Sequence, residues 1–326
     1  MRILLAPDSF KEAASAEAIA QAMTRGIKRG NPQAECRLMP LSDGGEGLTQ
    51  ALVHATAGTL HNVETVDAIG RPITAQFGFL GNNHASCILR TAVVELASAS
   101  GLERVSPADR NALSASTFGT GLLIRAAIDA GADRIVLGLG GSATTDGGTG
   151  LARALGFRFL DHDIPLGGGS LVDLERIDDS EVPNFVKNVP IVLACDVINP
   201  LTGPEGAAHV FAPQKGANTA QVELLDQGLA NLAHAIMQYN GRDIERIPGT
   251  GAVPAAGCSA CSIQQYGRES NLCSILRMVE KHAHGPTSSS PVKVLLTVKH
   301  RTAKCRVALR NWRNRKENQL LPLAER

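Results

Sequence analysis

Aromatic residues are scarce in this sequence of 326 residues and make up only 3% of it, whereas glycine occurs 33 times. That balance is more typical of an α/β protein with many strand-to-helix turns than of a β-sandwich. The length suits two domains or one large one, and the 44% hydrophobic content can supply a sizeable core.

Long apolar runs are also missing, because no stretch reaches the roughly 18 consecutive apolar residues that a membrane-spanning helix needs. The opening segment, Met1–Ala6, is followed almost at once by Asp8 and lacks the small-residue cleavage site of a signal peptide. We therefore expect a cytoplasmic protein with reduced thiols and no membrane partner.

Aspartate is absent from residues 253–326, and this segment differs from the rest of the chain in charge. It contains 13 Lys and Arg against 4 Asp and Glu, whereas residues 1–252 contain 19 against 27. It also holds four of the seven cysteines and the only tryptophan, Trp312. The net charge of +1 therefore conceals two compositions that meet near residue 252.

Short apolar runs alternate with helical patterns before residue 252. The predicted strands are Arg2–Pro7, Leu38–Leu41, Thr91–Leu96, Arg134–Leu139 and Pro190–Ala194, and the predicted helices begin after Ser15, at Leu48, at Thr120 and at Thr149. This alternation predicts parallel sheets with right-handed crossovers, in which ligands collect at the carboxyl ends of the strands. Those ends carry Asp8, Asp43, Glu95, Gly140–Asp146 and Asp196.

One glycine-rich run, Gly138-Leu139-Gly140-Gly141-Ser142-Ala143, follows a predicted strand. Glycines at such a position let backbone N–H groups approach a phosphate, although tight packing of strand against helix explains the same pattern equally well. No G-x-x-x-x-G-K-[ST] run occurs, which excludes a P-loop enzyme.

Two further turns, Asp43–Gly47 and Asp146–Gly148, place carboxylates among glycines. Such carboxylates can hold Mg²⁺ or accept the proton of an attacking hydroxyl, but Asp and Gly also favour turns for purely conformational reasons. Lys11 and Lys215 are candidates for neutralising phosphate charge, and the alternative for each is an isolated surface lysine.

Six runs together resemble the motifs of class I glycerate kinases across Met1–Ala252. They are Ala6–Glu12, Ser42–Gly47, Thr117–Gly121, Gly138–Gly148, Ala194–Leu201 and Pro213–Ala217. The resemblance implies transfer of the ATP γ-phosphoryl group to the 2-hydroxyl of D-glycerate, with Mg²⁺ as cofactor and 2-phosphoglycerate as product. It also implies two α/β lobes, of which one is Rossmann-like and discontinuous. Residues 1–65 are assigned to the N-terminal part of that lobe and residues 66–252 to the second lobe, whereas residues 253–326 depart from the family as an aberrant basic tail.

Candidate site residues follow from these motifs. Asp196 is predicted to lie near the reacting hydroxyl, and Lys11 is a second catalytic candidate. The predicted substrate- or phosphate-binding residues are Asp8, Ser9, Asp43, Gly44, Gly45, Glu46, Gly140, Gly141, Ser142, Asp146, Asn199 and Lys215. Asp43 and Glu46 are also the predicted Mg²⁺ ligands.

The tail departs from the family, because Val253 onward lacks its glycine-rich continuation and its later T-G-E-G-R-x-D-x-Q run. We hypothesise a reading-frame shift in the gene near codon 252. The alternative to an active kinase is then an inactive remnant that at most binds glycerate or nucleotide. Cys258, Cys261 and the later histidines lack the usual zinc spacing, and the basic stretch Lys299–Lys316 has no recognisable nucleic-acid-binding motif. We therefore expect neither a zinc site nor a nucleic-acid partner, and only Val292–Val298 has a strand pattern.

Overall fold

The structure is a computed structural model of the chain. It describes residues 2–7, 16–38, 46–81, 89–160, 167–194, 198–245, 247, 249–251, 264–265, 292–298 and 306–311. The chain forms two compact units, the first from Met1–Asp43 and Glu269–Arg326 and the second from Gly44–Arg268.

Strands and helices alternate along most of the chain. The strands are β1 (Arg2–Pro7), β2 (Glu35–Leu38), β3 (Thr59–Val66), β4 (Pro72–Phe79), β5 (Thr91–Glu95), β6 (Arg134–Gly138), β7 (Arg158–Leu160), β8 (Arg176–Asp178), β9 (Ile191–Ala194), β10 (Gln264–Gln265), β11 (Val292–Val298) and β12 (Arg306–Asn311). The helices are α1 (Ala16–Gly30), α2 (Leu48–Thr56), α3 (Ala97–Ser100), α4 (Phe118–Asp129), α5 (Thr149–Ala154), α6 (Asn184–Lys187), α7 (Ala207–Phe211) and α8 (Thr219–Asn240). Short 3₁₀ turns occur at Leu102–Arg104, Pro107–Asp109, Gly168–Asp173 and Pro213–Lys215.

The first unit is a four-stranded sheet in the order β12-β11-β1-β2, with α1 packed against it. β1 pairs in parallel with both β2 and β11, and β12 pairs antiparallel with β11. The core described for this unit consists of Ile3, Leu5 and Ala34, with Met23 and Ile27 of α1 packed against them. The amphipathic spacing of α1 thus buries its apolar side on β1.

The second unit contains a six-stranded sheet in the order β10-β9-β6-β5-β4-β3. The parallel pairing expected from the sequence holds for β10, β9, β6 and β5, whereas β4 pairs antiparallel with both β5 and β3 at one edge. β3 and β4 are antiparallel because the tight turn at residues 67–71 that joins them leaves no room for a crossover helix. The Asp67 carboxylate stabilises that turn by accepting from the backbone N–H groups of Ile69 and Arg71.

Helices cover this sheet with apolar side chains. Fully buried residues of α4 and β6, Leu123, Ile124 and Leu137, belong to the same core as Leu225 and Leu229 of α8. Among the described helices, none is long and apolar enough to cross a membrane.

Several sequence expectations are confirmed and others need correction. The strands predicted at Arg2, Thr91, Arg134, Pro190 and Val292 and the helices predicted at Leu48, Thr120 and Thr149 are present within one or two residues of their expected starts. The second strand is described at Glu35–Leu38 and so begins three residues before the predicted Leu38–Leu41, whereas residues 39–41 lie outside the described residues. The predicted helix cap Ser15 lies outside the described residues.

Candidate active site

Three parallel strands of the second unit end in register. Glu95, the last residue of β5, pairs with Gly138 at the end of β6, which in turn pairs with Ala194 at the end of β9. The segments that follow these strands therefore leave from one edge of the sheet, which is where α/β proteins bind their ligands.

The segment after β6, residues 139–148, is called the glycine loop here. Its backbone is held from one side, since the Leu102 N–H donates to the Gly141 carbonyl (2.8 Å) and the Ala143 N–H donates to the Ser100 carbonyl (3.0 Å). Gly141 has φ +74°, a left-handed conformation that a side chain would disfavour. The loop is thus fixed in a shape that depends on glycine.

The glycine loop also contains three consecutive backbone N–H groups that could contact a ligand. Within the described part of the chain, the N–H groups of Gly140, Gly141 and Ser142 have no hydrogen-bond acceptor, and these residues are half-buried or exposed. Successive N–H groups around a left-handed residue form a concavity that suits an anion. The arrangement can therefore hold a carboxylate or a phosphate.

Asp146 lies at the far end of the glycine loop and is only 1% exposed. Its Oδ2 accepts from the N–H and hydroxyl of Thr117 (both 2.8 Å) and from the Gly150 N–H (3.2 Å), and its Oδ1 accepts from the Gly148 N–H (3.0 Å). Both oxygens are thus engaged within the protein, and the carboxylate ties the start of α4 to the start of α5.

Lys215 contacts the glycine loop. It ends the 3₁₀ turn Pro213–Lys215, is only 8% exposed, and its Nζ donates to the Thr144 carbonyl. Burial lowers the pKa of Lys215 to about 8, although the negative charge of Asp146 acts in the opposite direction. The adjacent Thr145 has a buried hydroxyl with no hydrogen-bond partner in the described residues, a group that a ligand oxygen would satisfy.

Asn199 organises the turn that follows β9. Its side-chain amide donates to the Glu205 carbonyl (2.8 Å), and its own carbonyl accepts from the N–H groups of Gly249 (3.1 Å) and Gly251 (3.2 Å). A Cβ on Gly251 would lie 2.6 Å from the Pro200 carbonyl oxygen, so this close approach requires glycine. Asn199 therefore connects the segment after β9 to the 249–251 turn.

Glu46 lies in an acidic region beside the start of α2. A hydrogen bond with Glu103 raises the pKa of Glu46, as do burial and the negative charges of Glu103 and Glu95, whereas Arg104 lowers it. In the part of the chain that the structure describes, no group of three or more metal-ligating side chains is arranged to hold a metal ion.

The structure thus brings Gly140, Gly141, Ser142, Asp146 and Lys215 together around one loop. Asn199 and Glu46 are also described, at the separate positions given above. The other seven predicted site residues lie outside the described residues: Asp8, Ser9, Lys11, Asp43, Gly44, Gly45 and Asp196. Their roles and the Mg²⁺ site stay predictions.

Sequence reasoning placed Glu95 at a strand end but did not assign it to the site. Its carboxylate accepts hydrogen bonds from the backbone N–H groups of Gly47 and Thr49, next to Glu46. The signal in the sequence was the single carboxylate that follows the apolar run Ala92–Val94, and the structure shows every residue of Thr91–Glu95 to be buried.

The fold and the glycine loop together define an α/β protein whose candidate site is suited to an anionic small molecule. Comparison with known proteins is more specific. The model of the glycerate kinase family matches residues 3–284, which extends 32 residues beyond Ala252, where the resemblance recognised in the sequence ends. The chain belongs to the glycerate kinase family, and its class of enzyme is a kinase.

The similar proteins share this description. The chain is 44% identical to a glycerate kinase of Bacillus subtilis over 283 residues, covering 86% of this chain and 72% of the relative. It is 40% identical to the glycerate 2-kinase of Escherichia coli, covering 82% of this chain and 69% of the relative. A crystal structure of a Salmonella typhimurium LT2 protein described as glycerate kinase 2 is similar, with 41% identity, a TM-score of 0.73, and coverage of 86% of this chain and 74% of that chain.

Proposed function

We propose that this protein transfers the γ-phosphoryl group of ATP to the 2-hydroxyl of D-glycerate, which yields 2-phosphoglycerate. The observation that carries the proposal is the glycine loop, which the buried cation Lys215 contacts and in which three N–H groups have no acceptor among the described residues. Both substrates are anionic, and phosphoryl transfer depends mainly on positioning and on neutralising phosphate charge. We also propose that the protein acts in the cytoplasm.

Individual roles are assigned by chemistry. Asp196 is proposed to accept the proton of the reacting hydroxyl, and Lys11 and Lys215 to neutralise phosphate charge. Asp8, Ser9 and Asn199 are proposed to bind substrate. Asp146 is proposed to act by holding the glycine loop, since both of its oxygens are already engaged.

Mg²⁺ is proposed to bind at Asp43 and Glu46, because magnesium prefers carboxylate oxygens. The described part of the site is consistent with a cation there, since Glu46 lies among the negative charges of Glu103 and Glu95. When bound, the metal would supply additional charge neutralisation for the phosphates.

The decisive experiment measures ADP release from purified protein with ATP, Mg²⁺ and D-glycerate. Coupling the product to enolase detects 2-phosphoglycerate directly, whereas a signal that requires added phosphoglycerate mutase identifies 3-phosphoglycerate. Asp196→Asn should abolish turnover, and Asp129→Asn, an exposed carboxylate paired with Arg125, should leave it unchanged. Unchanged turnover in Asp196→Asn would remove the assignment of Asp196.

A second candidate is a protein that binds ATP or D-glycerate without turnover. The observation that favours it is the absence of the T-G-E-G-R-x-D-x-Q run from residues 253–326. Binding of ATP or D-glycerate in calorimetry, together with no ADP release under any condition, would identify this inactive form.

A further inference from the structure

Glu95 is a buried carboxylate at the end of a central strand. It is 6% exposed, and β5 lies between β4 and β6 in the sheet. Burial raises the pKa of Glu95, while hydrogen bonds from the backbone N–H groups of Thr49 and Gly47 lower it. A buried carboxylate is costly unless such bonds satisfy it, so these bonds determine where the side chain can lie.

The same two bonds cap α2 from a distance. Gly47 is the N-cap residue of α2, adopts φ +88° and has no side chain with which to cap the helix. Glu95 therefore supplies the acceptor that Asp, Ser or Asn would normally provide from within the helix, and its negative charge suits the N-terminus. The bond to the Gly47 N–H is 3.1 Å, and Glu95 is 48 residues away in the sequence.

This remote cap anchors a candidate active-site segment. Gly47 ends the run Asp43–Gly47, and Glu46 precedes it directly. Glu95 also pairs in register with Gly138, after which the glycine loop begins. One side chain thus links the end of the acidic turn to the sheet edge that carries the proposed anion site.

We propose that Glu95 is a positioning residue of the phosphoryl-transfer site, which fixes the first turn of α2 and thereby the location of Glu46 relative to the glycine loop. This assignment rests on the function proposed above. The carboxylate touches neither substrate in this role, because both backbone donors already engage it.

Glu95→Gln tests the proposal, because the amide keeps the size of the side chain but replaces one acceptor oxygen with a donor. We expect the amides of residues 47–53 to exchange hydrogen at least tenfold faster. We also expect kcat to fall at least tenfold and the half-saturating Mg²⁺ concentration to rise at least threefold. Glu95→Asp, which keeps two acceptor oxygens on a shorter side chain, should restore part of kcat and serves as the second variant if Glu95→Gln fails to fold.

Asp67→Asn is the matched control for a purely structural cap. Asp67 is also buried and accepts from two backbone N–H groups, but it stabilises the turn between β3 and β4. This variant should lower the unfolding temperature and leave kcat and the Mg²⁺ dependence unchanged. If Glu95→Gln behaves in the same way, the positioning role is wrong.

The two proposals fail in distinguishable ways. If the wild-type protein does not turn over D-glycerate, the proposed function fails, and hydrogen exchange alone decides whether Glu95 anchors α2. Unchanged exchange of residues 47–53 in Glu95→Gln, with or without activity, overturns the anchoring itself.

Discussion

Asp146 and Lys215 are both buried, and each is bonded to the segments around the glycine loop. Asp146 accepts from the backbone N–H groups of Thr117, Gly148 and Gly150, and Lys215 donates to the Thr144 carbonyl. Buried charges of this kind are expensive unless they are paired or hydrogen-bonded. Replacing either side chain should therefore disturb the structure of the glycine loop first and ligand binding only as a consequence.

The charge of Lys215 should give turnover a pH dependence. Its pKa of about 8 means that the ammonium is lost as the pH rises through 8, so kcat/KM should then fall towards a slope of tenfold per pH unit. Lys215→Arg keeps its charge at these pH values and should remove this decline in a measured pH–rate profile. A decline that persists in Lys215→Arg would assign it to another group.

The stability of the folded protein should depend on pH in a different way from turnover. The folded-state pKa of Lys215 lies below the ordinary value of 10.5, so between these two values the unfolded chain binds more protons. The contribution of Lys215 to stability therefore increases as the pH rises from about 8 to 10.5. Over the same pH range the activity is expected to fall while the contribution of Lys215 to stability rises, so the two pH dependences run in opposite directions.

Asp146→Asn should destabilise the second unit. The NH₂ group of the new amide would face backbone N–H groups that now donate to the Asp146 carboxylate, so these donors would lose their acceptor. We expect this loss to lower the unfolding free energy by about 2–4 kcal/mol. Urea unfolding measures this change. Asp129→Asn loses one exposed ion pair with Arg125 and should cost less than about 0.5 kcal/mol. Equal effects of the two variants would contradict the role given to Asp146.

At the scale of elements, α4 and α5 approach each other through a glycine. A Cβ on Gly121 would lie 2.5 Å from the Leu151 carbonyl oxygen and 2.6 Å from the Ala154 Cβ. These distances are shorter than atoms of folded proteins tolerate, so the two helices depend on glycine at this position.

Gly121→Ala should therefore cost about 1–3 kcal/mol, because the helices must move apart to accept a methyl group. Gly26→Ala in α1 is the control, since its Cβ would meet no atom within 4 Å and alanine favours a helix by about 0.5–1 kcal/mol. Hydrogen exchange in denaturant measures each unit separately. Equal tolerance of both substitutions would show that α4 and α5 do not pack as closely as described.

Elements with a continuous apolar core were predictable from the sequence. β5 and β6 are such elements, because buried parallel strands read as unbroken apolar runs that a glycine or acidic residue ends. The hairpin β3–β4 was missed, since β3 is an edge strand with several exposed residues and lacks that pattern. The long helix α8 was missed although its capping box, Asn218 with Gln221, is visible in the sequence.

The site was predictable as a set of motifs but not as a set of contacts. Lys215 and Thr144 are 71 residues apart, and Glu95 and Thr49 are 46 residues apart. Local patterns carry no information on which distant backbone group a buried side chain meets, because tertiary packing decides that.

At the scale of the whole molecule, the first unit joins the beginning of the chain to residues beyond the family match. β11 and β12 form half of its four-stranded sheet, and both follow residue 284, where the match ends. The strand expected at Val292–Val298 is present, and Arg306–Asn311 forms a strand within a stretch that had no recognisable pattern in the sequence.

Deletion of residues 285–326 should therefore unfold the first unit and leave the second intact. We expect rapid hydrogen exchange in β1 and α1, with protection retained in β5 and β6. Deletion of residues 312–326 keeps both strands and is the control. Unchanged protection of β1 after the longer deletion would show that β11 does not pair with it in solution.

The frameshift hypothesis has its own test. The hypothesis expects that correcting a single insertion or deletion near codon 252 restores a continuous reading frame that encodes the rest of the family sequence. Sequencing the locus and the genes of close relatives tests this. A clean in-frame gene with the same tail in relatives would reject the hypothesis.

The available N–H groups of the glycine loop have a consequence for how this enzyme tolerates change. Contacts made by the peptide backbone survive nearly every amino-acid replacement, since only proline removes an N–H. Under the proposed function, substitutions at positions 140 and 142 would change the shape of the loop before they changed its contact with the anion. Gly141 would be required only because its left-handed conformation disfavours a side chain. The anion contact is then robust to point mutation in a way that a contact made by an arginine or lysine side chain is not.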